Sequence, residues 1–347
     1  MAKQPVTVAT HSGVFHADDV FAMALVRLVL RRRKGVEVVT VRTRKESIIN
    51  DADFVLDVGN VYDPASGRFD HHQWATVEEA VTHLTREREL GGRAERFSKA
   101  TFGLVWDKFH GQAISDVVIA LSDIKGIDWR LFATHRAEIF SKVKDGVDRY
   151  LVMGIDAADV GFRRADPMFK TVSQVVSGFN PEWYESPTPE DYDAAFERAV
   201  EWAEGYLRQQ IRREICSVLS RDYGQLAAPI VDRGELVDGK LLVLDQFAPW
   251  AGVVAKRSYR DRLQFVIFPD NGTWMIWQVP VDKSGAFKAG SFIGRRQLPA
   301  GWAGWRSEVL ANLTGVEDAV FCHNARFCGG AGSREGAIAM ARLALKE

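Results

Sequence analysis

The run Gly67-Arg68-Phe69-Asp70-His71-His72-Gln73-Trp74 places a carboxylate and two imidazoles side by side at the end of a hydrophobic segment. Imidazole and carboxylate together suit Mn²⁺, Fe, Zn²⁺ or Co²⁺ better than Ca²⁺. On its own the run also reads as a polar turn carrying two ordinary histidines. Its company elsewhere in the chain favours metal. His11, His16 and Asp18 stand in one polar loop, Asp57 closes a hydrophobic run, and Asp156 lies three residues before Asp159, on one face of a helical stretch. His11, His16, Asp18, Asp57, Asp70, His71, His72 and Asp156 are the candidates, and they take half of the chain's 8 histidines. Together they have the makeup of a two-metal centre, whose ions sit roughly 3.5–4 Å apart and clamp the attacking and leaving oxygens of a phosphoryl transfer. Such a centre needs a carboxylate between the ions, and Asp57 is the candidate. Water held there would be deprotonated near neutral pH and act as the nucleophile. His71 is the ligand of the histidine pair. His72 is the group to protonate the leaving oxygen or to stabilise the charged phosphorane.

These residues need elements that bring them together. Val6 to Thr10 is a continuous β-branched run and predicts a buried strand. The polar loop from His11 to Asp19 follows, and Val20 to Arg33 has helical apolar spacing. Asp18 and Asp19 also suit an N-cap and a first-turn acid, and Arg31 to Lys34 a basic helix C-terminus. Val36 to Arg42 and Phe54 to Val58 predict two more strands. Strand, loop, helix, strand, strand points to a parallel α/β sheet, in which ligands bind beyond the carboxyl ends of the strands. His11, Asp57 and the Asp70-His71-His72 run then fall on one rim.

Glu78 to Arg96 is charged, contains Gly91-Gly92, and reads as a surface excursion. Ser98 to Phe109 predicts a helix capped by Ser98, and Trp129 to Ala158 a long helical stretch carrying Asp156. That acid and Asp159 also suit a solvated face. Pro181, Pro187 and Pro189 mark a linker. Glu190 to Leu219 predicts an amphipathic helix with Phe196, Val200, Ala203, Leu207, Ile211 and Ile215 on one stripe. Such a helix bridges two domains or packs on a second copy, so a homodimer is an assembly it allows. Beyond it the pattern is α+β. Leu241 to Leu244 predicts a strand, and Leu263–Phe268 and Thr273–Val279 flank Asn271-Gly272 as a hairpin. Trp250, Trp274 and Trp302 suit core better than base stacking. Ala319 to Cys322 predicts a strand leading into His323, and the glycines at 329, 330 and 332 then precede a helix ending at Leu345. Exposed amides behind Gly329 and Gly330, with Arg334 inside the turn and His323 before it, suggest phosphate binding at a helix N-terminus.

A length of 347 residues predicts two domains. A net charge of −1 excludes a global basic field for nucleic acid, so phosphate recognition must be local. The 3 cysteines are too few and scattered for a disulfide framework or thiolate zinc site, which suits a reducing, cytoplasmic setting. No segment has a secretory core, a presequence or the length of a membrane span.

His11-x₄-His16-x-Asp18, Asp57-Val-Gly, Tyr62-Asp63-Pro64, Asp70-His71-His72-Gln73, Ile155-Asp156-Ala157 and Gly329-Gly330-x₃-Arg334-Glu335-Gly336-Ala337 resemble the melanocyte-proliferating-gene-one family. That family is itself similar to the DHH phosphoesterase superfamily. The resemblance spans nearly the whole chain. It implies a DHH-like parallel-sheet catalytic domain over 1–180, a linker and long helix over 181–220, a smaller α+β substrate-binding domain over 221–347, and an active-site cleft between the two domains. It implies His11, His16, Asp18, Asp57, Asp70, His71 and Asp156 as metal ligands, and Arg295 and Arg296 beside His323, Gly329, Gly330 and Arg334 on the substrate side. It implies Mn²⁺, with Mg²⁺, Co²⁺ or Zn²⁺ as alternatives, and 3′-5′ exonuclease activity on RNA. The sequence departs from the family at Val160, Ala303 and Arg326, none of them a candidate ligand. The expected function is a metal-dependent phosphodiesterase acting on RNA or short oligonucleotides. The alternatives are a small-molecule phosphohydrolase (pyrophosphate, cyclic dinucleotide or nucleoside phosphate) and a non-catalytic nucleotide- or metal-binding protein.

Overall fold

The structure is a computed structural model and describes residues 4–31, 36–72, 99–161, 170–281 and 294–346. The excursion expected over Glu78–Arg96, the Ser98 cap and the basic residues Arg32–Lys34 lie outside them. The chain divides into two units, 1–125 with 130–215, and 126–129 with 216–347.

The first unit is built on a five-stranded sheet of order β2-β1-β3-β5-β4, with β1 Val6–Thr10, β2 Val38–Arg42, β3 Phe54–Leu56, β4 Tyr62–Asp63 and β5 Arg68–Phe69. β2, β1, β3 and β5 run parallel, and only β4 is antiparallel. Tyr62–Asp63 pairs back on Arg68–Phe69 as a short hairpin. Register settles the rim. Arg42 pairs with Thr10, Thr10 with Leu56, and Leu56 with Phe69. The next residues, Thr43, His11, Asp57 and Asp70, therefore leave the sheet at one level, at the carboxyl ends where α/β sheets bind ligands.

Helix α1 spans Ala17–Arg31 and is buried on every face from Ala17 to Leu30. From Val20 to Leu30 it is apolar but for Arg27, as suits a helix inside a core. It begins three residues before Val20, because Asp18 and Asp19 form its first turn, and the Asp19 carboxylate accepts from the His16 N–H at 2.9 Å. That bond closes one half of a capping box. A short helix α2, Glu46–Asp51, follows β2, and α3 spans Thr101–Ala120. The expected long helix after Trp129 is three pieces, α4 Trp129–Thr134, α5 Arg136–Val147 and α6 Met153–Asp159, and a π-helical turn at Asp148–Val152 joins the last two. Helix α7, Val172–Ser177, carries a full capping box from Thr171 and Gln174.

Helix α8, Pro189–Tyr223, is 35 residues long, and its stripe of Phe196, Val200, Ala203, Leu207, Ile211 and Ile215 is buried within the chain. Phe196 meets Phe15 edge-on, and Glu197 and Glu204 pair with Arg27 and Arg31 of α1. The stripe is thus covered by this chain rather than left for another copy.

The second unit holds a six-stranded sheet of order β10-β11-β9-β8-β7-β6, formed by β6 Glu235–Val237, β7 Leu241–Val243, β8 Phe265–Asp270, β9 Thr273–Gln278, β10 Ala319–Cys322 and β11 Cys328–Ala331. Only β7 and β8 pair in parallel. Asn271 and Gly272 turn the β8–β9 hairpin with φ of 48° and 80°, the left-handed pair that a two-residue hairpin demands. Trp274 packs into the core on one face of the sheet with Trp302, and Trp277 on the other with Trp250. These rings fill core. No helix among the described residues is long and apolar enough to cross a membrane.

Candidate metal centre

Three strands and two helix ends deliver the chemistry of the first unit. His11 leaves β1 and donates through Nδ1 to the Ser12 carbonyl at 3.3 Å, which turns Nε2 inward. That nitrogen lies 3.1 Å from Asp19 Oδ2 and 3.5 Å from Asp57 Oδ2. Asp57 leaves β3 with φ of 54°, a left-handed conformation in which Asp is among the few tolerated side chains. Its other oxygen, Oδ1, lies 3.3 Å from His71 Nε2. His71 Nε2 is in turn 3.1 Å from Asp159 Oδ2, at the end of α6.

Three groups of metal-capable atoms follow, each mutually within 4.8 Å: His11, Asp19 and Asp57; Asp57, His71 and His72; and Asp18, His71 and Asp159. Asp57 belongs to the first two and His71 to the last two. Asp57 thus offers one oxygen to each side of a compact donor set.

The N-terminus of α3 forms the back wall. The residue before it, Ala100, provides no side-chain cap. Instead the Thr101 and Phe102 N–H groups donate to the two Asp18 oxygens at 2.9 and 2.7 Å, and the Gly103 N–H donates to Asp156 Oδ1 at 3.1 Å. Two buried carboxylates from α1 and α6 therefore occupy the positive end of the helix dipole. The Thr101 hydroxyl adds a 3.3 Å bond to Asp57 Oδ1.

Asp70 is placed differently from its neighbours. Its Oδ2 accepts from the Asn60 N–H at 2.7 Å, while Oδ1 accepts from the His72 N–H at 2.9 Å and faces His72 Nδ1 at 2.8 Å. Asp70 thus orients His72, and it stands outside the three groups. The burial of Asp70 opposes its charge, yet these bonds hold its carboxyl below the usual range. The Asp70 bond raises the His72 pKa.

Electrostatics show what the donor set lacks. Burial works against charge on His11 and His71, but the facing carboxylates, Asp19 and Asp57 for the first, Asp159 and Asp57 for the second, push both up to about 10. Burial opposes the charge of Asp57 too, and His11 and His71 hold it well below the carboxylate range. Burial drives Asp156 up to about 8 and also raises Asp18 and Asp19. Protons thus sit where cations would serve. Asp19 Oδ2 and His71 Nε2 are buried and lack a hydrogen-bond partner, although opposite charges stand within ion-pair distance. Buried polar atoms without partners are rare, and here they converge with carboxylates and imidazoles. This donor chemistry fits divalent ions of the Mn²⁺, Zn²⁺ or Co²⁺ type.

The expected site residues divide accordingly. His11, Asp18, Asp57, His71 and His72 lie in the groups, and Asp70, His16 and Asp156 do not. His16 is exposed, with its ring 5.9 Å from that of His11. Asp156 is turned onto α3, and Asp159 takes the inward place on that helix. Asp19 suits a first-turn acid in the sequence, and Asp159 shares with Asp156 a helix face that suits either a site or solvent. Their signal was adjacency to Asp18 and Asp156. Thr101 carried none.

In the second unit, Gly329 and Gly330 are not loop residues. They sit in β11 between β9 and β10, where the ladders occupy strand amides on both sides. A Cβ on Gly329 would come within 2.9 Å of the Phe321 carbonyl, so close strand packing explains the glycine. Arg334 pairs with Glu235, Arg295 with Asp261 at 2.8 Å, and Arg296 donates to the Ala344 carbonyl at 3.0 Å. His323 is exposed and accepts from the Ala325 N–H through Nδ1.

His11, His16, Asp18, Asp57, His72 and Asp159 line a cavity of about 840 Å³. A second cavity, of about 640 Å³ beside Ser115, Arg136 and Phe140, shares none of its residues.

The family model MYG1_exonuc, described as an uncharacterised protein family (UPF0160), matches residues 7–345. The MYG1 protein of Schizosaccharomyces pombe is 29% identical over 350 residues, covering 98% of this chain and 97% of that protein. The MYG1 exonuclease of Mus musculus is 27% identical over 364 residues, covering 99% and 86%. Among solved structures, RecJ of Thermus thermophilus in complex with Mn²⁺ overlaps at a TM-score of 0.25 and 11% identity, over 98% of this chain and 52% of that one, too slight a likeness to argue from.

Proposed function

The chain belongs to the MYG1_exonuc family, and we propose that it is a metal-dependent phosphodiesterase that removes nucleotides from the 3′ end of RNA or short oligonucleotides. The observation that carries this reading is Asp57, whose two oxygens face separate imidazole–carboxylate groups 3.3 and 3.5 Å away, as a carboxylate shared by two cations must. Relatives bearing the name MYG1 exonuclease support the nuclease part.

Cations held by His11, Asp19 and Asp57 on one side and by Asp57, His71, Asp18 and Asp159 on the other, with Mn²⁺ the best match, would polarise the scissile phosphate and lower the pKa of water. The chain's own groups do the rest. The α3 N–H groups fix Asp18 and thereby the direction in which its oxygens point. The Ser12 carbonyl fixes the His11 tautomer, as the outer partners of metal-ligating histidines do. Asp70 holds His72 through Nδ1, which leaves Nε2 toward the cavity with a proton to give to the leaving oxygen. Asp18, Asp57, Asp70 and Asp159 all line the cavity, and their combined charge repels phosphate until cations offset it.

Single-stranded RNA labelled at either end, incubated with Mn²⁺, tests the proposal. Release of nucleoside monophosphates from the 3′ end by wild type, and its loss in Asp57→Asn, is the expected result. Intact RNA and dinucleotide, or equal rates in Asp57→Asn and wild type, would sink it. Pyrophosphate, cyclic dinucleotides and nucleoside phosphates in parallel reactions show whether small phosphates are turned over instead.

A further inference from the structure

The loop from Ser12 to Phe15 joins His11 of the donor set to the helix turn that carries Asp18 and Asp19. Its backbone is fastened by two side chains from distant parts of the first unit. Arg42, the last residue of β2, donates through Nη2 to the Gly13 carbonyl at 2.5 Å. Asn180, which follows α7, takes both polar groups of Phe15. Its Oδ1 accepts from the Phe15 N–H at 3.1 Å, and its Nδ2 donates to the Phe15 carbonyl at 2.9 Å. One residue before the Arg42 anchor, the Ser12 carbonyl receives the bond from His11 Nδ1.

Packing alone does not account for an arginine at 42. Its side chain is 2% exposed, and its guanidinium lies 5.5 Å from the Phe15 ring and 4.7 Å from the Phe196 ring. An apolar side chain would fill that space without desolvating an ion, and such replacements are often neutral or stabilising. Asp193 of α8 supplies a counter-charge at 2.9 Å, but it is half-exposed and stands outside the donor groups. What the guanidinium adds is its fork, with one nitrogen on Asp193 and the other on the Gly13 carbonyl. Gly13 has φ of 89°, so the chain turns sharply through the left-handed region where the arginine grips it. Asn180 works from another wall. Ser12, Val14 and His16 line the cavity on the loop side, and Ser173 and Ser177 line it from α7. The Phe15–Asn180 pair ties these two walls together.

We propose that Arg42 and Asn180 are positioning residues of the metal centre: they hold the Ser12–Phe15 loop so that the Ser12 carbonyl keeps His11 Nε2 turned toward Asp19 and Asp57. Neither supplies a donor atom to a cation or touches substrate. The proposal rests on the metal-dependent reading above and adds two residues to what that reading requires. Losing the outer partners of metal-ligating histidines weakens metal binding about 10–100-fold. These two residues act one step further out, through the backbone, so the lower end of that range applies.

Calorimetric titration of Mn²⁺ into the metal-free full chain tests it, with a melting curve recorded for each variant. Arg42→Leu refills the space between the two rings and releases Gly13, and Asn180→Ala releases Phe15. Arg27→Leu is the control. It removes another buried guanidinium that pairs with α8, but one whose bonds go to Thr40 and Glu197, neither of them in the loop. Arg42→Leu and Asn180→Ala should each weaken Mn²⁺ binding about tenfold, while Arg27→Leu stays within about twofold of wild type even where its melting temperature falls as far. Arg42→Lys keeps charge beside Asp193 without the fork, and should bind Mn²⁺ as weakly as Arg42→Leu. Should Arg42→Leu fail to fold, Asn180→Ala, at a half-buried position, carries the test. Unchanged Mn²⁺ affinity in Arg42→Leu or in Asn180→Ala, or an equal loss in Arg27→Leu, overturns the proposal. Wild type that takes up no Mn²⁺ overturns it together with the metal-dependent reading. Mn²⁺ binding that depends on Arg42 and Asn180, in a protein that leaves RNA intact, keeps the positioning role and loses the phosphodiesterase reading.

Discussion

Asp70 and His72 act as a unit in which a buried carboxylate sets the behaviour of a half-exposed imidazole. Because Asp70 raises the His72 pKa, the imidazole keeps its proton to higher pH. Asp70→Asn retains an acceptor for the Asn60 N–H but removes the charge, so the His72 pKa should fall toward the ordinary value. In kcat-against-pH profiles, the alkaline limb of the variant should then lie at lower pH than that of wild type, and kcat should drop about 10–100-fold, as when other partners that orient the groups of a metal site are lost. His11 and His71 make a different prediction, for chelator-treated protein. Both pKa values are raised in the folded state, to about 10, from 6.5. A raised histidine contributes stability that is complete below the unfolded pKa and is lost as pH rises through the folded one. Denaturant midpoints of chelated protein should therefore fall between pH 6.5 and 10, and Mn²⁺ should restore them most at the upper end, where the competing protons are gone. A flat profile across that window would contradict the placement of these histidines among carboxylates.

Helix α3 shows how an element can serve a site without contributing a ligand. Gly103 donates to Asp156, and a Cβ there would strike the Asp156 carboxyl. Alanine in a helix normally gains about 1 kcal/mol over glycine. Displacing a buried carboxylate from its donor costs about 1–3 kcal/mol, so the loss should win. Gly103→Ala should lower unfolding free energy, while Gly111→Ala in the same helix, with open space around its Cβ, should raise it by a few tenths to about 1 kcal/mol. Denaturant titration of the two variants separates packing from propensity. This cradle was not legible in the sequence. Thr101 lies 83 residues from the Asp18 it bonds, and neither residue type announces the other. The rim was legible, because each β-branched run ends in a chemically distinctive residue and parallel strands share a polarity. Asp19 and Asp159 do not stand out as ligands in the sequence, because a first-turn acid and a helix-end acid have sufficient local reasons to exist. The glycines at 329 and 330 misled in the opposite direction, since close strand packing and a phosphate loop both require glycine.

Across the whole chain, acidic and basic residues nearly balance. Net charge is −1, and Arg295 and Arg334 of the second unit are committed to Asp261 and Glu235. Arg295 and Arg334 are therefore not free to neutralise phosphate on binding RNA. For single strands the slope of log K against log salt is about −0.7 per phosphate, so RNA binding by the Mn²⁺-loaded protein should show a slope no steeper than about −2. A slope several times larger would reveal a basic surface that neither composition nor these contacts provide. The division into two units falls inside α8, between Ile215 and Cys216, where no composition shift marks it.

The π-helical turn at Asp148–Val152 governs this centre through angular phase. An α-helix advances about 100° per residue, and a π turn carries one residue more than the α-helical path would need. Everything after it is rotated by that one step. Asp156 and Asp159 keep their spacing from each other, but the extra residue decides which of them looks at His71 and which at Gly103. Shortening the turn by a single residue, even at exposed Tyr150, would rotate both acids away from their partners without altering any of the residues that bear the chemistry. Chain length within this turn is therefore as much a determinant of the centre as any side chain in it.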